Sequence, residues 1–300
     1  MNRKRLFSAI LAVFLLFSLM GAAPTRASAA TTTVCGFEVK GAILATALKA
    51  AGVTAGEDPA AEMESVLGCP MEPEALIVVS GKNTYHLDFQ HFTIYWDSTQ
   101  GGKWWRIGEV PSLSRVSNER DALGSSGMKS RIVFRSAKLC GASTNDKRLM
   151  TAMMHGGTIV DLRESSAVSE CKDPSLPTVS RFYRSMTSTT NLSSFITRAS
   201  DRTALRYVLN AIAAEDGPIW IHCTRGRDRT GWVVMNLLML GGTSNDLIRE
   251  EYLRTTGTSG STYDKAIKLL NDTYDGPEGF WLDGVGLTQA TIEKLQQKLT

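Results

Sequence analysis

The 300-residue sequence is poor in the residues that mark metal centres, with four histidines and five cysteines. No close cysteine pair occurs and no histidine pair accompanies the cysteines, so the spacing does not point to zinc. Internal repeats and low-complexity linkers are absent, which excludes a solenoid or a string of small modules. An excess of one charge is missing too, with 33 basic and 30 acidic residues. Arg3, Lys4, Arg5 and Arg26 all precede Ala30, so a chain lacking residues 1–29 holds 29 basic against 30 acidic residues. The pI near 8.6 therefore owes much to the leader and gives no reason to expect a nucleic-acid partner. One local absence matters later: there is no Asp or Glu between Asp173 and Asp201.

What is present begins with an export signal. Asn2-Arg3-Lys4-Arg5 is a basic n-region, Leu6 to Met20 is mostly apolar, and Ala27-Ser28-Ala29 is a small-residue cleavage site. The apolar run is short for a membrane-spanning helix. The expectation is a signal peptide over 1–29, cleavage near Ala29, and a secreted or periplasmic chain without a membrane span. No cysteine follows the cleavage site, so a lipid anchor is not indicated. The remaining chain, about 270 residues, suffices for one core with an appendage. An oxidising compartment favours paired cysteines. With Cys223 kept free, the local pairing Cys35–Cys69 and Cys140–Cys171 is preferred over the other connectivities and over free buried thiols.

The chain is organised around Ile221-His222-Cys223-Thr224-Arg225-Gly226-Arg227-Asp228-Arg229-Thr230-Gly231. An apolar run, Ile219-Trp220-Ile221, precedes it and reads as a buried strand; Trp232 to Leu240 follows and reads as a core helix closed by Gly241-Gly242. Cys223 and Arg229 thus lie on a loop between a strand and a helix N-terminus. Unpaired N–H groups and the helix dipole make that place an anion cradle. The same field favours thiolate over thiol. Arg229 can grip two phosphate oxygens with its fork of donors. Gly226 permits a turn that brings N–H groups close to a ligand. Thr230 has two readings of equal weight: a hydroxyl donated to the Cys223 sulfur, or a helix cap.

His-Cys-x5-Arg-Thr-Gly resembles the signature of the cysteine-dependent protein tyrosine phosphatases, and the form of the loop is similar to that of microbial tyrosine phosphatase family 3. Four flanking stretches occur in the order of that family's motifs. Ser117-Asn118-Glu119-Arg120-Asp121 resembles NFRD, with Glu119 in place of the usual Phe. Phe134-Arg135-Ser136-Ala137-Lys138-Leu139 resembles FRSxxL, and Ile159-Val160-Asp161-Leu162-Arg163 resembles VDLR. Glu278-Gly279-Phe280 and Gly286-Leu287-Thr288 resemble the C-terminal pattern. The resemblance covers about residues 115–300. It implies an α/β fold of the tyrosine phosphatase type, a mainly parallel sheet with helices on both faces, and hydrolysis of phosphomonoesters. That family includes secreted phosphatases that act on phosphotyrosine, phosphoserine or phosphothreonine, and phosphoinositides. No cofactor is implied.

The pattern from Arg131 onward agrees with that fold. Strands are expected at Ile132–Phe134, Thr158–Leu162 and Val179–Met186, and helices over Thr144–His155 and Asn191–Ala214. The latter breaks near Ala199-Ser200-Asp201, with Ser200 or Asp201 as a cap. Residues 164–178 read as a polar loop. Further helices are expected at Ser244–Thr255, Thr262–Tyr274 and Thr288–Lys298. Alternating strands and helices imply a mainly parallel sheet, and ligands bind such sheets at the carboxyl ends of the strands.

Residues 30–110 form an α+β appendage ahead of a catalytic domain over 111–300. Helices are expected at Gly41–Ala51 and from Asp58-Pro59 to Gly68, then strands at Ala75–Ser80, Tyr85–Trp96 and Trp104–Val110. The middle run switches phase, which a bulge or bend near Gln90 explains. His86 and His91 read as packed or surface residues rather than ligands.

The reaction needs a proton donor for the leaving oxygen. The stretch Thr187–Asn191 holds no acid, which moves the choice to Asp228, with Asp161 as runner-up. The other roles open to them are loop support for Asp228 and pairing with Arg163 for Asp161. The expected phosphate-binding set is Thr224, Arg225, Gly226, Arg227 and Thr230 around Cys223 and Arg229. Relatives usually carry Lys at the place of Arg227. Arg225 and Arg227 fit either a substrate with further negative charge, such as a phosphoinositide or acidic phosphopeptide, or a solvated rim. His222 reads as a scaffold residue. The expected partner is a phosphorylated protein or a phosphoinositide, with a catalytically silent phosphate-binding module as the reading from another class.

Overall fold

The computed structural model describes residues 30–79, 81–124 and 126–300. The expected signal peptide, 1–29, lies outside the described residues. Thr31–Val34 (β1) and Phe37–Lys40 (β2) form an antiparallel pair, followed by helices Gly41–Ala51 (α1) and Pro59–Leu67 (α2). Asp58 starts α2 as its sequence predicts, its carboxylate accepting from Ala60 N–H at 2.9 Å. Four antiparallel strands follow in sequential order: Ala75–Val79 (β3), Lys82–Asp88 (β4), Phe92–Asp97 (β5) and Gly101–Arg106 (β6).

The run expected as one strand from Tyr85 to Trp96 is therefore a hairpin, turning at Phe89-Gln90-His91. The turn has neither Gly nor Pro, and α2's exit braces it. His91 N–H donates to Leu67 O, Gln90 N–H to Cys69 O, and Cys69 N–H to Gln90 Oε1. The Cys35–Cys69 disulfide, paired as expected, fastens that exit to the β1–β2 turn.

The second sheet has five strands: Arg120–Asp121 (β7), Val133–Ser136 (β8), Thr158–Asp161 (β9), Ser180–Tyr183 (β10) and Ile219–His222 (β11), in spatial order β10-β9-β11-β8-β7. The first four in that order are parallel, and only β7 runs against its neighbour. The fold class expected from sequence is thus present. β11 is central and fully buried, with β9 and β8 on its two sides.

One sheet face is covered by Ser193–Thr197 (α5 in chain order), Ala199–Ala214 (α6), Asp228–Leu240 (α7), Asn245–Leu253 (α8), Gly260–Tyr274 (α9) and Gln289–Leu299 (α11). Pro277–Gly279 (α10) and a π-turn at Phe280–Val285 close the same layer. The other face carries Thr144–Met153 (α3) and one face of the β3–β6 sheet. Ile77, Val79, Tyr95 and Trp105 share a core there with Phe134, Trp220, Leu149, Met150 and Met153. The methionines of α3 are core, as their spacing predicts. The appendage strands therefore fill a layer over the parallel sheet, and their removal would strip apolar cover from Phe134 and Trp220.

Two local differences have clear causes. The polar loop 164–178 contains a short helix, Ser165–Glu170 (α4), ended at Cys171. The expected cap on α6 is replaced: Arg198 sits at the N-cap position without a side-chain bond, while the Asp201 carboxylate accepts Thr187 N–H at 2.9 Å. Asp201 thereby pins the segment leading to residues 188–190. No helix among the described residues is long and apolar enough to cross a membrane.

Candidate active site

The strand order places β11 between two strands whose carboxyl ends flank His222: Ser136 lies beside it on β8 and Asp161 on β9. The chain then leaves the sheet through residues 223–227 and enters α7 at Asp228. What shapes this loop is the fate of its carbonyls. Lys138 N–H donates to Thr224 O (3.3 Å), Asn118 Nδ2 to Arg225 O (2.9 Å), and Arg135 Nη2 to Gly226 O (2.5 Å). Arg227 O accepts Gly231 N–H at 2.8 Å in the first turn of α7. A peptide unit is planar and trans, so a carbonyl held on the outside leaves the next N–H facing the other way. Among the described residues, none of the backbone N–H groups from Thr224 through Thr230 donates a hydrogen bond. They form the anion cradle that the sequence predicts, and the helix N-terminus adds its dipole.

Gly226 is needed for this path. Its φ is +65°, and a Cβ there would meet the Ser136 carbonyl carbon and oxygen at 2.4 Å. The outside partners come from the flanking motifs. Asn118 belongs to the NFRD-like stretch and Arg135 to the FRSxxL-like one. Arg120 and Arg135 are in turn held by one buried carboxylate, Glu251, at 2.7 Å each. Burial and the neighbouring Arg135 bring the Arg120 guanidinium down to about 10, against the pull of Glu251. Thr255 Oγ1 accepts from both arginines.

Cys223 is the only free cysteine among the described residues and is 2 % exposed at the floor of the loop. A pocket of about 550 Å³ opens above it. Its walls are Thr224, Arg225, Arg227, Asp228 and Arg229 from the loop, Glu164 after β9, and Ser188, Thr189 and Thr190. Arg229 is fixed by Glu164 Oε2 (2.6 Å), Leu162 O (3.3 Å) and Thr224 Oγ1 (3.1 Å). Burial would raise the Glu164 carboxyl, but Arg229 and the Ser188 hydroxyl outweigh it and hold it below the usual carboxylate range. Arg225 is exposed at the rim, while Arg227 Nε donates to Asp228 Oδ2 at 2.8 Å.

The two acids singled out from sequence have different surroundings. Asp228 lines the pocket, and its carboxylate accepts from Arg227 and from no loop N–H. Asp161 does not line the pocket. Its carboxylate takes the Arg163 backbone N–H (3.0 Å), Nε (2.9 Å) and Nη2 (2.8 Å) beneath the loop. The Thr230 hydroxyl is buried with no hydrogen-bond partner among the described residues, so it caps nothing and does not reach the Cys223 sulfur. Glu164, Ser188–Thr190 and Glu251 were not singled out from sequence. Glu164 had one available signal, a carboxylate three residues past a strand that ends at the ligand side of the sheet.

A model of the tyrosine phosphatase family matches residues 111–260, half of the chain. The chain belongs to the tyrosine phosphatase family. A relative of this chain is the triple specificity protein phosphatase PtpB of Mycobacterium tuberculosis, 32% identical over 81 residues. That stretch is 27% of this chain and 29% of PtpB, so the match spans under a third of the relative's length. Among solved structures, the core catalytic domain of the PP-IP phosphatase SIW14 from S. cerevisiae, in complex with citrate, is 17% identical. It aligns over 54% of this chain and 90% of that one with a TM-score of 0.36. A second structure of the Siw14 catalytic core gives 18% identity, 55% and 89% coverage, and a TM-score of 0.36. The family is one of phosphatases, hydrolases that act on phosphorylated substrates.

Proposed function

We propose that this phosphatase is exported and hydrolyses phosphomonoesters, phosphotyrosine first, through a cysteinyl-phosphate on Cys223. The observation that carries the reading is the cradle: unpartnered N–H groups from Thr224 to Thr230 around a recessed Cys223, with Arg229 locked beside them by Glu164. The thiolate of Cys223 attacks phosphorus and the phosphorus–oxygen bond to the leaving group breaks. Asp228, on the pocket wall, gives the leaving oxygen its proton. Water then attacks phosphorus, Asp228 takes the water proton, and the sulfur–phosphorus bond breaks to release phosphate and restore the thiolate. Throughout, the loop N–H groups and Arg229 hold the equatorial oxygens. Export is supported by the leader sequence and by two disulfides in a chain whose fifth cysteine stays free.

A recessed cysteine favours a long phosphorylated side chain over a short one, which ranks phosphotyrosine ahead of phosphoserine. A second reading, a phosphoinositide or inositol-polyphosphate substrate, is favoured by Arg225, whose charge at the rim has no carboxylate partner among the described residues. PtpB, by its name, has triple specificity, and SIW14 is a PP-IP phosphatase. The test is phosphate release from a phosphotyrosine peptide, a phosphoserine peptide and a soluble phosphoinositide, each beside Cys223→Ser. Release abolished by Cys223→Ser establishes the cysteinyl route, and the substrate ranking chooses between the readings. No release from reduced, folded protein refutes both and leaves a phosphate-binding module.

A further inference from the structure

Beneath the catalytic loop lies a buried charge cluster drawn from three separate segments. His222 ends β11 and is 0% exposed. Its Nε2 lies 2.8 Å from Asp173 Oδ2 and 3.9 Å from Asp161 Oδ1. Its Nδ1 lies 3.4 Å from the carbonyl of Cys223. Arg163, 1% exposed, places Nη2 3.0 Å from Asp173 and 2.8 Å from Asp161. This cluster also has the ligand types of a metal site, yet the Arg163 guanidinium already supplies positive charge between the two carboxylates. It lies close enough to Cys223 for a thiolate there to favour its charged form, along with Asp161 and Asp173, against the effect of burial.

Asp161 comes from a strand and lies two positions from its partner Arg163 in sequence. Asp173 comes from a segment without helix or strand, 172–178, and something must keep its carboxylate inside. The Cys140–Cys171 disulfide does so. Cys140 follows the exit of β8, on one side of β11, and Cys171 follows α4 beyond β9, on the other side. The bridge therefore spans the carboxyl end of the central strand. Arg163 Nη1 donates to Cys171 O at 2.8 Å, and Arg181 donates to the carbonyls of Asp173 and Pro174. Burial alone would raise the Asp173 carboxyl, but His222, Arg163 and Arg181 outweigh it and hold it below the ordinary range.

We propose that Asp173 is a positioning residue for the phosphatase reaction: from a loop fastened by the Cys140–Cys171 disulfide, it holds His222 and Arg163 in place beneath Cys223. The assignment rests on Cys223 being the nucleophile. His222 is covalently next to Cys223, so the orientation of its ring fixes the backbone that aims the sulfur. A misplacement of the order of 1 Å is enough to cost a large factor in rate. The phosphate-holding groups, by contrast, are fixed by Lys138, Asn118, Arg135 and Glu164 and do not depend on Asp173.

That separation gives the test. Asp173→Asn and Asp173→Ala are compared with the unaltered protein for kcat, for competitive inhibition by inorganic phosphate, and for the rate of Cys223 alkylation by neutral iodoacetamide across pH. The other four cysteines are paired, so alkylation reads Cys223 alone. For Asp173→Ala the expected result is a kcat lower by at least about tenfold with phosphate inhibition within about twofold. The alkylation profile shifts in both variants, because both lose the charge facing His222 and Arg163. Asp173→Asn is isosteric and retains an acceptor for the ring, so its kcat is expected between the other two. The double variant Cys140→Ser, Cys171→Ser is expected to lower kcat in the same direction. Unchanged kcat and alkylation profile in both Asp173 variants overturn the proposal, as does an equal loss of phosphate affinity and kcat. Wild-type kcat in the double variant overturns the fastening role. Alkylation does not require turnover, so a shifted profile in a protein that releases no phosphate would separate failure of the proposed function from failure of this inference.

Discussion

Glu164 Oε2 meets Arg229 Nη1 at 2.6 Å at the side of the pocket, and Ser188 reaches the same carboxylate. The arginine proposed to grip phosphate is thus held by a residue outside the signature loop. Glu164→Gln keeps the shape and removes the charge. The expected result is a loss of roughly tenfold in kcat/KM, from the weaker charge-assisted contact. Inhibition by phosphate should weaken in parallel if Arg229 holds the bound anion as proposed. Thermal unfolding should change little, since the Glu164 side chain is 37% exposed. Kinetics with an aryl phosphate, beside a thermal melt, check both halves.

Asp228 and Asp161 are separated by leaving groups. A general acid matters most when the leaving oxygen is a poor one. Asp228→Asn should slow an alkyl phosphate far more than an aryl phosphate with an acidic phenol. Equal slowing of both would assign Asp228 to pairing with Arg227, whose Nε it accepts. Asp161→Asn should slow both alike, because its carboxylate faces Arg163 and not the pocket.

Glu251 is the carboxylate on which the loop's outer support converges, with Arg120 and Arg135 each at 2.7 Å. All three side chains are buried. Glu251→Gln would leave two buried guanidinium groups with no carboxylate between them. Breaking a buried pair in this way costs about 3–5 kcal/mol. Chemical denaturation should show that loss. Arg135 also holds Gly226 O, so activity should fall further than folded fraction alone explains. An Arg135→Met, Glu251→Met double variant is expected to recover stability better than activity, since apolar replacement of both partners spares the desolvation cost but drops the Gly226 contact.

Residues that act through the local chain were legible in the sequence. Cys223, Gly226 and Arg229 share one loop, and their chemistry follows from a strand on one side and a helix on the other. The parallel sheet was legible because its strands alternate with helices. Partners that only folding brings together were not. Glu251 is 131 and 116 residues from its two arginines. Asp173 sits in a polar loop that the disulfide turns inward, so its sequence neighbours look like surface. The β4–β5 hairpin was hidden for a related reason. Its turn at Phe89-Gln90-His91 closes on Phe89 N–H to Phe92 O and is braced further by Leu67 and Cys69, without Gly or Pro, so the apolar pattern runs through it unbroken. Ser200 or Asp201 is the cap expected from sequence because such residues favour helix starts, whereas the Asp201 carboxylate is spent on Thr187 N–H across the loop.

The contact between the β3–β6 sheet and the parallel-sheet core carries its own pH dependence. Arg131, after β7, donates through both Nη atoms to Phe89 O at 3.0 Å, and its Nε lies 3.2 Å from Asp88 Oδ1. His86 Nε2 is 3.3 Å from the same oxygen, Thr93 donates to it, and Glu72 lies nearby. Burial would raise the Asp88 carboxyl, but His86, Arg131 and Thr93 bring it down to about 2. Burial would lower His86, yet Asp88 and Glu72 outweigh burial and Arg131, and it stands above its ordinary value of 6.5. The signs follow by linkage. A depressed carboxyl stabilises above its unfolded value, 3.8, and loses that contribution as pH falls toward 2. A raised histidine stabilises fully below 6.5 and loses its contribution as pH rises through the folded value. Both are present together between about pH 4.5 and 6.5. Urea unfolding at several pH values should therefore show a maximum in that window. Asp88→Asn should lower it by about 2 kcal/mol and flatten part of the acid limb. His86→Gln should flatten the limb above pH 6.5 and leave the acid limb in place. Unfolding curves for His86→Gln that keep the wild-type fall above pH 6.5 would place the titrating group elsewhere in the chain.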